Sequence, residues 1–172
     1  MMDLLDFDQT TLYFDEPTPA GVEALLAEAG ESYGEPQAEA LLLKAYFLVP
    51  ESLLVLVALY RYFFYQHRLE DALVVADRAL ALCGRRLGFP AEWQRLHAEF
   101  LGQAVLKSMG LLRFYLSVLK ASAYINLRLG RADAGRAQLA KLVELDSHDR
   151  MGGKALLDVL EPADGEADAL TA

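Results

Sequence analysis

The feature that most constrains this chain is an internal repeat of 34 residues. Residues 19–52 and 53–86 align without a gap, placing Leu25 on Leu59, Ala38 on Ala72 and Ala45 on Ala79. A unit of that length makes two antiparallel helices that cannot cover their own apolar faces, so each must stack on a neighbour. Ala72 and Ala79 stand seven residues apart, two helical turns, on one face of the second helix. Small residues there let two helices cross closely.

The segment LLVLVALYRYFFYQHRLEDALVVADRALAL, residues 53–82, resembles the tetratricopeptide repeat family. Leu59, Phe63, Ala72 and Ala79 occupy four signature positions, and Pro50 stands where the preceding repeat closes. A third unit, 116–147, joins LSVLKASAYINLRL to GRADAGRAQLAKLVELDS, with Gly130 in the turn. It departs from the pattern, since Gly135 and Leu142 replace the two alanines, and Tyr60 of the second unit replaces a small residue. The fold expected from the resemblance is an all-α stack of antiparallel helical hairpins, about three repeats in a single domain over residues 17–160.

Residues 87–115 are an insertion that the repeat does not explain. Pro90 suits a first helical position, Glu92 suits the positive helix start, and Trp93, Leu96, Phe100, Leu101 and Ala104 recur at helical spacing, predicting one inserted helix. A capping helix is expected from about residue 149 to 160, weakened by Gly152 and Gly153 by about 1 kcal/mol each relative to alanine.

Charge is segregated. Residues 1–43 carry ten acids and no lysine or arginine, whereas all 16 basic residues lie between 44 and 160. Residues 1–16 read as a flexible acidic arm, with Leu4, Leu5, Phe7, Leu12, Tyr13 and Phe14 to fill a groove, and 161–172 as a disordered acidic tail. The modest positive charge of the body, flanked by acids, argues against nucleic acid. The apolar stretch 46–65 is broken by Pro50, Glu51, Ser52 and Arg61, which argues against a membrane span. A lone cysteine, Cys83, and an amino terminus without basic residues suit a bacterial cytoplasm.

No catalytic constellation emerges, and the reading is of a protein that is not an enzyme and takes no cofactor. His67, His97 and His148 lack ligand spacing, so no metal is expected. Cys83 falls near a helix end, where the negative pole raises a thiol's pKa. Glu70 and Asp71 open a helix, and Gly152-Gly153-Lys154 lacks the rest of a phosphate loop.

What the resemblance implies instead is a concave groove lined by the first helix of each repeat, which holds a segment of another protein. Carried onto this chain, the groove positions that matter are Arg61, Phe64 and Tyr65 in the second repeat and Lys120, Tyr124 and Arg128 in the third. Basic and aromatic groups together suit an acidic, partly apolar partner segment. The chain then reads as an adaptor, assembly factor or chaperone. Concrete versions are a chaperone of the type III secretion kind and an accessory factor of a large metalloenzyme such as nitrogenase. Two other readings compete. One is a small-ligand pocket between the insertion and the third repeat, around Trp93, His97, Tyr115 and Tyr124. The other is a homodimer pairing faces such as Tyr62 and Phe63.

Overall fold

A computed structural model describes residues 16–160, so the acidic arm before residue 16 and the tail from 161 lie outside the described residues. Over that range the chain forms eight α-helices, and no strand occurs among the described residues. They are α1 (Ala20–Glu31), α2 (Pro36–Leu48), α3 (Leu53–Tyr65), α4 (Leu69–Leu87), α5 (Ala98–Lys107), α6 (Met109–Arg128), α7 (Ala132–Leu145) and α8 (Gly153–Leu160). Helices α1 and α2, α3 and α4, and α6 and α7 pack as antiparallel hairpins, α6 lies against α4, and α8 covers α7. No described helix is long and apolar enough to cross a membrane.

Local chemistry explains the boundaries. Pro36 opens α2, where its missing N–H costs nothing. Ser52 and Ser108 cap α3 and α6, their hydroxyls accepting from the N–H groups of Val55 at 3.4 Å and Leu111 at 3.1 Å. Helix α4 begins with Glu70 and Asp71 and ends with Arg85 and Arg86, both arranged to complement the macrodipole.

The second and third hairpins turn in the same way. Arg68 N donates to Phe63 O at 2.9 Å and His67 N to Phe64 O at 3.0 Å. Sixty-three residues further on, Arg131 N donates to Asn126 O at 2.8 Å and Gly130 N to Leu127 O at 3.0 Å. His67 and Gly130 occupy the same turn position and both are left-handed, with φ of 57° and 76°. From these turns each arginine reaches back to an acid at the start of the preceding hairpin's second helix. Arg68 Nη1 lies 2.7 Å from Glu39, and Arg131 Nη2 lies 2.7 Å from Glu70.

The small residues aligned by the repeat sit inside. Ala38, Ala45 and Ala72 are fully buried and Ala79 nearly so. In the third hairpin Gly135 is the close contact, because a Cβ there would stand 2.7 Å from Leu127 and 3.0 Å from the Ala123 carbonyl. Asn126 is buried and donates from Nδ2 to Gln138 at 2.9 Å, tying α6 to α7 with a satisfied polar pair.

The insertion departs from expectation. Pro90 opens no helix, because residues 90–97 hold only a 3-10 turn at Trp93–Arg95 before α5 starts at Ala98. Two anchors explain the irregular path. Gly88, left-handed at φ 77°, reverses the chain so that Phe89 is buried with its ring 5.0 Å from that of Tyr115. Leu96 is fully buried and its carbonyl accepts from Lys141 Nζ at 3.0 Å. The third hairpin also starts earlier than residue 116, since the Ser108 cap brings residues 109–115 into α6. At the other end, Asp149 and Gly152 take positive φ, so α8 begins at Gly153 and Gly152 costs the helix nothing. Gly153 itself packs so tightly that a Cβ would meet Leu142 at 2.8 Å.

Two changes test this account in urea unfolding. Ala72→Leu overpacks the α3–α4 crossing and lowers stability by about 1–3 kcal/mol. His67→Gly relieves a left-handed residue and raises stability by about 1 kcal/mol; a drop would show that the His67 side chain holds the turn.

Candidate functional site

The first helices of the hairpins, α1, α3 and α6, carry two adjoining features. The first is an aromatic row at the α3–α6 contact. Phe64 is half-buried and stacks on Tyr60, four residues before it in α3, with centroids 5.8 Å apart. Its ring also meets Tyr65 at 5.9 Å and Tyr124 of α6 at 6.2 Å. Arg128, one turn beyond Tyr124, donates to the Tyr124 hydroxyl at 3.2 Å and lies 5.8 Å from its ring centroid. Tyr65 and Tyr124 remain open to solvent, at 48% and 37% exposure.

The second feature is a cavity of about 450 Å³ between α1 and α3. Leu26, Ala29 and Tyr33 form one side, Leu42 of α2 contributes from below, and Arg61 and Tyr65 close the α3 side. Tyr33 meets Tyr62 edge to face at 6.0 Å. The 34-residue alignment explains the space. It sets Leu26 against Tyr60, Ala29 against Phe63 and Gly30 against Phe64, so α1 carries smaller groups where α3 carries rings. The volume absent from α1 is the cavity.

Of the expected groove residues, the structure therefore brings Phe64, Tyr65, Tyr124 and Arg128 into one row and sets Arg61 on the cavity wall. Lys120 is a correction: it is only 9% exposed, within the packed surface of α6, and does not offer an accessible charge. The α1 residues were missed, although the small-for-large exchange in the alignment was a usable signal.

The alternative pocket around Trp93, His97, Tyr115 and Tyr124 does not assemble. Tyr124 belongs to the aromatic row, and His97 lies 3.8 Å from Glu144 of α7. Glu144 is held below the usual carboxylate range chiefly by its hydrogen bond from Lys141. Trp93 and Tyr115 do share a cavity, but with α4. Tyr62 and Phe63 are buried, at 7% and 6% exposure, which removes them as a homodimer face.

Cys83 is fully buried within α4, and its Sγ donates to the Leu111 carbonyl at 3.2 Å. Burial, rather than a helix end, pushes the thiol up to about 12, against smaller opposing effects of Arg86 and a backbone hydrogen bond at Tyr115. The thiol also helps to raise the already desolvated Tyr115 hydroxyl.

With the fold defined as an all-helical stack of hairpins, comparison with known proteins adds a family. No family model matches the chain, and no solved structure matches it. Over 159 residues, 92% of this chain and 89% of the relative, it is 50% identical to the uncharacterized 19.8 kDa protein in the nifW 5′ region of Azotobacter chroococcum mcd 1. The chain belongs to the family of that protein.

Cys83 gives a direct check on the packing of α4 against α6. A thiol at about 12 in the fold and about 8.5 unfolded stays protonated when folded, so its contribution to stability is complete below pH about 8.5 and is lost as pH climbs toward 12. Iodoacetamide at pH 8 is expected to label Cys83 only in denaturant; rapid native labelling would show that the α4–α6 contact opens.

Proposed function

We propose that this protein is a non-enzymatic interaction module of the tetratricopeptide kind, an assembly or accessory factor that holds a segment of a partner protein on its first-helix face. The observation that carries this reading is the continuity of the α1–α3 cavity with the aromatic row, since Tyr65 lines the one and touches Phe64 of the other. The family resemblance is supported by the shared turn geometry of the second and third hairpins and by the buried small residues at matching positions.

The surface suggests the partner's chemistry. The cavity suits one apolar anchor, and Arg61 on its wall and Arg128 at the aromatic row suit carboxylates. Exposed ion pairs contribute about 0–1 kcal/mol each, whereas a buried aromatic anchor contributes about 2 kcal/mol or more. Aromatic contacts therefore set affinity, and charge sets the rate of encounter. The name of the relative places its gene region beside nifW, so the reading extends to an accessory role in nitrogen fixation, with the partner among proteins made under nitrogen-fixing conditions.

Gly30 offers a clean test. It borders the cavity, and nothing lies within 4 Å of a Cβ added there, so Gly30→Leu adds apolar bulk at the cavity with no clash at its Cβ. Tagged parent protein from nitrogen-fixing cells is expected to retain a stoichiometric partner that Gly30→Leu and Tyr65→Ala lose. Arg61→Glu is expected to slow association and flatten its salt dependence. Retention of the same partner by all three variants would move the working surface elsewhere.

A further inference from the structure

A second cavity, of about 410 Å³, lies between α4 and the inserted segment, apart from the residues of the first. Its construction begins at the end of α4. Gly88 closes the helix in a left-handed turn in which Phe89 N donates to Gly84 O at 2.9 Å, folding Phe89, Pro90 and Ala91 back over α4. Gly84 lets the Tyr115 ring lie close against α4, since a Cβ there would press on it at 3.2 Å. Trp93 supplies a half-exposed aromatic ring to the lining, beside the buried rings of Phe89 and Tyr115.

Two charged side chains border this space, Asp77 and Arg85. Arg85 is already matched, donating to Glu51 at 3.0 Å. Asp77 makes no hydrogen bond or ion pair among the described residues. Its side chain lies on the lining and is exposed, and partial desolvation raises its carboxyl above the usual range. Aromatic rings beside an unmatched carboxylate attract a cation with apolar surface, through the ring quadrupoles and the carboxylate together.

We propose that the Asp77–Phe89–Trp93–Tyr115 cavity is a binding site for an alkylammonium group. The group arrives either on a small quaternary amine or as a lysine side chain of a partner. The Trp93 ring takes its methyl or methylene surface and Asp77 its charge.

Trp93 is the chain's single tryptophan, so its fluorescence reports on the cavity directly. Titration of the full chain with choline and with Nα-acetyl-lysine methylamide is expected to give a saturable change in Trp93 emission. The stronger of the two identifies the source of the ammonium. The neutral isostere 3,3-dimethylbutan-1-ol is expected to give none. Asp77→Asn, at an exposed position, is expected to weaken binding about fivefold or more. Ala81→Leu, also exposed and on the lining, is expected to abolish it by filling the mouth. Circular dichroism of both variants checks that the helices remain. The assignment is overturned if neither ammonium compound gives saturation, if the neutral isostere binds as well as choline, or if Asp77→Asn binds choline like the parent.

Discussion

The close crossing of paired helices at Ala38, Ala45, Ala72 and Ala79 is the constraint on which the remaining architecture depends. With these positions buried and small, each second helix lies near enough to its first helix for the large residues of α3 to be enclosed between neighbours. Dispersion between such surfaces falls off steeply with separation, so a larger group at any of the four would loosen the hairpin and its contacts along the stack. The third hairpin reaches the same closeness differently, through Gly135 against Leu127 and Ala123. Its buried Asn126–Gln138 pair adds a directional contact that apolar packing lacks.

Stacking then decides where chemistry is displayed. Second helices and the inserted segment are joined by Lys141 to Leu96 and Lys107 to Leu87, both side chains binding backbone carbonyls of the insertion region. That arrangement engages the insertion with α4, α6 and α7 and leaves the α1–α3 cavity uncovered by it. The arginines of the turns, Arg68 and Arg131, link each hairpin to the one before it. Their ion pairs are exposed and individually weak, so they set register more than stability.

Two faces with different character result. One is aromatic with arginine, formed from α1, α3 and α6; the other is aromatic with an unmatched carboxylate, formed from α4 and the insertion. The proposed partner segment with carboxylates would meet the first and the proposed ammonium group the second.

The hairpin class was legible in the sequence because a 34-residue period and alternating small and large apolar residues are local properties of the chain. Turn and helix-start chemistry were similarly local: Gly130 in its turn and Glu70 and Asp71 at the start of α4 follow from side chains near in sequence. The candidate site was only partly legible. Phe64, Tyr65, Tyr124 and Arg128 share a row because α3 and α6 meet, a relation between residues about sixty positions apart. Lys120 lost its exposure within the packed surface of α6. The insertion was misread as a helix from Pro90 because its path is set by the burial of Phe89 against Tyr115 and of Leu96 beneath Lys141. Sequence by itself determined the repeating helical hairpins, since helix periodicity and close crossing are written in each unit. Tertiary structure decided where the two cavities open, because an empty space exists only where side chains of separate helices fail to meet.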